Sequence, residues 1–214
     1  MNNAGVEVAS SFTRYSPDEL DGLLALDLLA PLLLTHRLLP GMLARGVGHV
    51  VNICSLASKG PLPYGVPYAA AKSGLAGATA SLRAEYAATG VGFSAVIPGF
   101  VTGAGIFARH EAEGVAAPAL FGTTTPDRVA RAVVAAIRRD APEVIVTPYP
   151  IRPFLALAAL APRTAQRLTA WAGVTAVARR VARLHGRIED PPTRSNAAAR
   201  TAPPRTGQPM KEIR

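Results

Sequence analysis

The sequence predicts an α/β protein, a parallel β-sheet with helices packed on both faces. Two features carry that prediction. Short runs rich in β-branched residues alternate with longer helical stretches, the order that builds crossover connections between parallel strands. The composition, 49% apolar and only 17% charged, lets a chain of 214 residues bury a sizeable core.

Ser16-Pro17-Asp18-Glu19 has the form of a capping box, with a hydroxyl at the cap, proline in the first helical position and a carboxylate three residues after the serine. A leucine-rich helix is expected from about residue 17 to Ala44, with Pro31 and Pro40 as bend points. Gly46 and Gly48 end it, and the run from His49 to Cys54 reads as a buried strand. The next helix is expected from about Pro67 to Ala88, followed by a strand from Gly92 to Ile97 that stops at Pro98-Gly99. Between there and Thr125 no clean period emerges, which indicates a loop with at most one short helix. Thr125-Pro126-Asp127 starts a helix to about Arg139, and Val144 to Thr147 forms a third strand. Residues 1–150 thus make one domain. Residues 151–186 form a basic helical extension, with helices at about Phe154 to Leu160 and Arg163 to His185, and residues 187–214 are expected to be a disordered tail.

The net charge of +9 is unevenly placed: residues 1–150 balance at zero, residues 151–186 carry +6 and residues 187–214 carry +3. No zinc spacing or RNA-binding motif accompanies the basic end, so nucleic acid is not an expected partner. The single cysteine, Cys54, forms no intramolecular disulfide, which fits a reducing compartment and a cytoplasmic setting. Unbroken apolar runs such as Leu28 to Leu34 stop well short of the ~20 residues that span a bilayer. Met1-Asn2-Asn3 does not begin a secretory leader.

Chemistry concentrates at Tyr68-Ala69-Ala70-Ala71-Lys72, with Ser55 at the end of the strand before it. Four residues make one helical turn, so the phenol and the ammonium share a face. An ammonium nearby favours the phenolate and suits Tyr68 to proton transfer. Ser55 stands at the carboxyl end of its strand, where open α/β sheets bind ligands. By itself this pattern also describes an ordinary surface pair and a turn serine.

Further motifs decide between those readings. Asn2-Asn3-Ala4-Gly5, Val51-Asn52-Ile53-Cys54-Ser55, Tyr68 with Lys72, and Pro98-Gly99-Phe100-Val101-Thr102 occur in this order, and together they resemble the short-chain dehydrogenase/reductase family from Asn2 to about residue 150. The resemblance implies a Rossmann-like fold and a reaction that moves hydride between the nicotinamide of NAD or NADP and a carbonyl or secondary alcohol. It makes Tyr68 the general acid/base, gives Lys72 the tasks of lowering its pKa and holding the nicotinamide ribose, and lets Ser55 orient the substrate oxygen. It places Asn3, Ala4 and Gly5 beside the adenosine ribose and Pro98, Gly99, Val101 and Thr102 along the nicotinamide. Asp27 stands where the family usually has an asparagine that holds a water linking the lysine to solvent, and is expected to act as a variant relay residue.

Secondary expectations follow from the same reading. Ile106, Phe107, Leu120 and Phe121 are expected to form an apolar wall in a substrate-covering segment between Gly103 and Thr125. His36, His49, His110 and His185 lack metal-ligand spacing and receive no role, and Cys54 reads as structural. Val174, Val177, Val181 and Leu184 share one side of a basic amphipathic helix, suited to packing on the domain or to peripheral contact with an anionic membrane. Family analogy implies a homo-oligomer through the two long helices. The alternative function is a catalytically silent fragment acting as an interaction or membrane-surface protein.

The family's glycine-rich dinucleotide loop has no counterpart in these 214 residues. Gly103-Ala104-Gly105 is no substitute, because it follows Pro98-Gly99 and opens no convincing helix. The fold is therefore expected to be incomplete, with the first strands missing and Met1 marking a truncated or misassigned start. Reading the DNA upstream of Met1 checks this: an in-frame glycine-rich loop is expected, and a nearby stop codon without one overturns it.

Overall fold

The computed structural model describes residues 1–188. Its main sheet is parallel, with strands β1 (Gly48–Ile53), β2 (Val91–Pro98) and β5 (Glu143–Val146) in the order β1-β2-β5. Asn2 extends the free edge of β1: its N–H donates to the Val51 carbonyl and its carbonyl accepts from Ile53 N, at 2.8 and 2.9 Å. A short parallel pair, β3 (Phe100–Val101) with β4 (Thr123–Thr124), lies just beyond the end of β2.

Side chains on alternate residues of a strand face opposite sides, and both sides of this sheet are covered. On one side Phe93, Ala95 and Ile97 meet the two long helices α1 (Pro17–Arg45) and α2 (Val66–Glu85), through Leu39 and Leu75 among others. On the other, Val51, Ile53 and Val96 pack on Ala136 of α4 (Pro126–Arg138). This double coverage explains why the strands read as nearly continuous apolar runs. Cys54 lies in the core, and burial pushes its thiol up to about 11, in keeping with a structural cysteine.

Helix α1 begins at the expected capping box: Ser16 Oγ accepts from Glu19 N while the Glu19 carboxylate accepts from Ser16 N. It passes through a π-turn at Ala25–Leu29 and continues through Pro31 and Pro40 to Arg45. Pro31 has no N–H to close an α-turn on the Asp27 carbonyl, so a local change of register there is physically favoured. The buried residues of α1 are Leu23, Asp27, Pro31, Thr35 and Leu39, one at every fourth position. In a pure α-helix each such step drifts by roughly 40° around the axis; the wider turn takes up part of that drift and keeps the stripe on the domain. By length and composition the whole helix could also cross a bilayer, which counts of unbroken apolar runs do not reveal. Its other face leaves Leu29, Leu33, Leu34 and Leu38 about half exposed.

Two further expectations are corrected. Gly105 does open a helix, α3 (Gly105–Ala112), since Gly103 and Gly105 adopt positive φ of 77° and 82° that swing the chain into it. After α5 (Arg152–Leu160), the single helix expected from Arg163 is two, α6 (Pro162–Trp171) and α7 (Val174–Leu184), parted at Gly173 with φ +90°. The apolar side of α7 packs on the domain: Val181 and Ala182 are buried with Ala9 and Val115. Most of the expected tail, from residue 189, lies outside the described residues, but Arg187 belongs to the folded body. It pairs with Glu19 at 2.8 Å and lies over the Tyr15 ring, and this guanidinium holds the Glu19 carboxyl down at about 2.

Candidate active site

Ser55, Tyr68 and Lys72 meet at the carboxyl end of β1. Ser55 follows the strand in an extended conformation and caps a single 3-10 turn, its Oγ accepting from Ala57 N at 3.2 Å. Tyr68 and Lys72 lie in the first two turns of α2, which starts with Pro67 in its first turn. Both are buried, 8% and 4% exposed, and the ammonium lies 5.5 Å from the centre of the Tyr68 ring. Burial, followed by the negative charge of Glu7, pushes the Tyr68 hydroxyl well above the usual tyrosine range, while a hydrogen bond from Ser55 pulls the other way. Burial is the largest of these influences.

Asp27 is fully buried in the π-turn, where one carboxylate oxygen lies 3.5 Å from Lys72 Nζ and the other accepts from Val6 N at 2.9 Å. It therefore touches the lysine directly. Burial raises its carboxyl above the ordinary range, against the opposing pull of Lys72. Lys72 Nζ also lies 3.4 Å from the Ile53 carbonyl. The Asn3-Ala4-Gly5 segment closes over this pair: a Cβ on Gly5 would sit 3.0 Å from Lys72 Nζ and 3.2 Å from the Asp27 carboxylate.

The three residues line a cavity of about 1010 Å³ together with Asn3, Ala4, Gly5, Pro98, Gly99 and Val101. Thr102 is not among its lining residues; its hydroxyl donates instead to the Glu111 carboxylate, at 2.7 Å from one of the oxygens. Of the expected apolar wall, Ile106, Phe107 and Phe121 face the cavity, whereas Leu120 is 60% exposed and does not. The rest of the wall escaped the sequence reading. Phe100 packs edge-on against Phe107, Phe121 packs against Phe154 of α5, and Val177 and Val181 of α7 close the far side. Glu7 and His110 also line it. Two signals pointed to some of these in advance: the Pro98–Thr102 motif, which contains Phe100, and the apolar periodicity of α7.

Among protein families, the short chain dehydrogenase model matches residues 1–113. The chain belongs to the short-chain dehydrogenase family. A ketoacyl reductase of Nostoc sp. is 40% identical over 179 residues, which are 81% of this chain and 61% of that protein. An acetoacetyl-CoA reductase of Rhizobium meliloti is 36% identical over 102 residues, 47% of this chain and 42% of that one. Among solved structures, a metagenomic short-chain oxidoreductase in complex with NADP shares 34% identity at a TM-score of 0.54, covering 70% of this chain and 61% of its own. A short chain dehydrogenase/reductase family protein gives 26% and 0.61, covering 68% and 63%. The chain thus spans less than two thirds of each of these relatives, and its sheet and helices form part of their Rossmann-like fold.

A buried ion pair broken on one side leaves a charge without compensation. Asp27→Asn and Lys72→Met are therefore expected to be non-additive in urea unfolding, with a coupling of about 0.5–3 kcal/mol. Additive losses would show that the pair contributes nothing to the fold.

Proposed function

We propose that the protein is an oxidoreductase that moves hydride between NAD or NADP and an apolar carbonyl or secondary alcohol. The observation that carries this is Tyr68, buried beside Ser55 and Lys72, with all three lining one largely apolar cavity. A phenol that keeps its proton at neutral pH is a general acid, the role needed when a carbonyl oxygen becomes an alcohol.

The residues present fit such a cofactor: Lys72 would hold the nicotinamide ribose, Asn3, Ala4 and Gly5 would border the adenosine ribose, and Pro98, Gly99 and Val101 would border the nicotinamide. The bound nicotinamide supplies the hydride that reaches the carbonyl carbon. Ser55 directs its hydroxyl to the substrate oxygen, and Tyr68 donates the proton to that oxygen. Lys72 stabilises the phenolate left behind, and Asp27 keeps the lysine in place. The aromatic wall keeps water from the reacting groups and favours an apolar part of the substrate beside them, while a carbonyl as the reacting group is in keeping with the relatives named as ketoacyl and acetoacetyl-CoA reductases.

The half-exposed leucines of α1 fit a second copy of the chain, which would bury them in a homo-oligomer. Sedimentation of the parent and of a Leu33→Lys, Leu34→Lys variant tests this. Loss of a dimer in the variant supports the reading; a monomeric parent that instead binds anionic vesicles overturns it in favour of a membrane surface.

Nicotinamide absorbance with a panel of apolar carbonyl compounds tests the reaction. Tyr68→Phe is expected to lower kcat by about 10²–10⁴-fold while leaving the circular dichroism spectrum intact. Undiminished turnover in that variant sinks the proposed chemistry.

A further inference from the structure

At the edge of the same cavity, which His110 also lines, one group of side chains among the described residues has the composition of a metal centre. Helix α3 ends at His110 and Glu113, and α7 ends at His185, so tertiary packing brings together three potential ligands that lie far apart in the sequence. Their donor atoms all lie within 4.8 Å of one another. The Glu113 carboxylate stands between the two rings, one oxygen 3.2 Å from His185 Nε2 and the other 3.6 Å from His110 Nδ1.

His110 supplies an independent observation. It is only 9% exposed, yet neither ring nitrogen completes a hydrogen bond. Buried polar atoms in native proteins rarely go without a hydrogen bond, and a bound ion is one of the recognised reasons. On the side away from Glu113, the Glu7 carboxylate lies 3.9 Å from His110 Nε2. A histidine that binds a metal through one nitrogen commonly gives its other N–H to a carboxylate, which fixes the ring and its tautomer. Glu7 is placed for that part.

We propose that His110, Glu113 and His185 bind one divalent transition-metal ion of the Zn²⁺ class, oriented by Glu7, and that this ion clamps α3 to α7. Two imidazoles and one carboxylate form a ligand set that zinc uses, with the fourth position left for water. Bonds of roughly 2.0–2.1 Å to a tetrahedral ion would bring the donors to about 3.3 Å apart. Glu113 and His185, with side chains 41% and 35% exposed, are free to supply that small closure. With neutral imidazoles, Glu7 and Glu113 provide the two negative charges that match a dication.

The clamp would act on the cavity without entering the hydride-transfer step. Helix α3 presents Ile106 and Phe107 to the cavity and α7 presents Val177 and Val181, so joining their ends holds its roof together. The cation class follows from the ligands and does not depend on the proposed reaction.

The full chain, stripped with a chelator and titrated with Zn²⁺ or with Co²⁺ as a spectroscopic probe, tests the site. One equivalent should bind, Co²⁺ should give the visible bands of a tetrahedral nitrogen–oxygen site, and the thermal midpoint should rise with saturation. His185→Gln and Glu113→Gln alter partly exposed positions and should weaken binding tenfold or more without unfolding the protein. Glu7→Gln should weaken it by about 10–100-fold. The absence of stoichiometric uptake, or uptake unchanged in His185→Gln and Glu113→Gln, would overturn the proposal and leave a histidine–carboxylate cluster only.

Discussion

The Asp27 carboxylate connects three separate parts of the chain at one buried point. It accepts the Val6 amide from the N-terminal segment, pairs with Lys72 on α2, and sits in the π-turn of α1. Lys72 in turn reaches the last carbonyl of β1. An ion pair buried this deeply loses much of its Coulombic gain to desolvation, so stability is not its chief consequence. What it does accomplish is registration: the lysine has one place to be, and the segment that crosses it must be free of a side chain at Gly5. The positions of Tyr68 and Ser55 relative to Asn3, Ala4 and Gly5 follow from that.

Burial has a second effect at the same place. It pushes the Tyr68 phenol above the usual tyrosine range, with the negative charge of Glu7 acting the same way and a hydrogen bond from Ser55 opposing it. A phenolate removed from water loses solvation, whereas a neighbouring ammonium favours it, and the family chemistry implies that Lys72 supplies that opposing charge.

The C-terminal helices have a structural role that their charge conceals. Six arginines between residues 151 and 186 suggest an independent basic arm. Helix α7 instead turns its valines inward over the cavity and leaves its arginines on the outer side, as amphipathic packing requires. Arg187 completes the attachment by pairing with Glu19 in the first turn of α1. The same glutamate closes the capping box, so the start of the first long helix and the end of the last one share a carboxylate.

The fold class and the candidate trio of Ser55, Tyr68 and Lys72 were legible in the sequence, the first from local periods and the second from local spacing together with the order of the family motifs. Strand and helix periods are local, Tyr68 and Lys72 are one helical turn apart, and Ser55 ends a strand whose pattern is written in six residues. The tertiary structure alone decided the rest. Only packing over long separations brings Asp27 to Lys72, gives Phe100, Phe154 and Val181 a common cavity, and joins His110 and Glu113 to His185. It also placed a π-turn in α1 and directed Thr102 away from the cavity towards Glu111. None of these follows from spacing along the chain, since each depends on which surfaces meet when the apolar faces of separate elements are buried together.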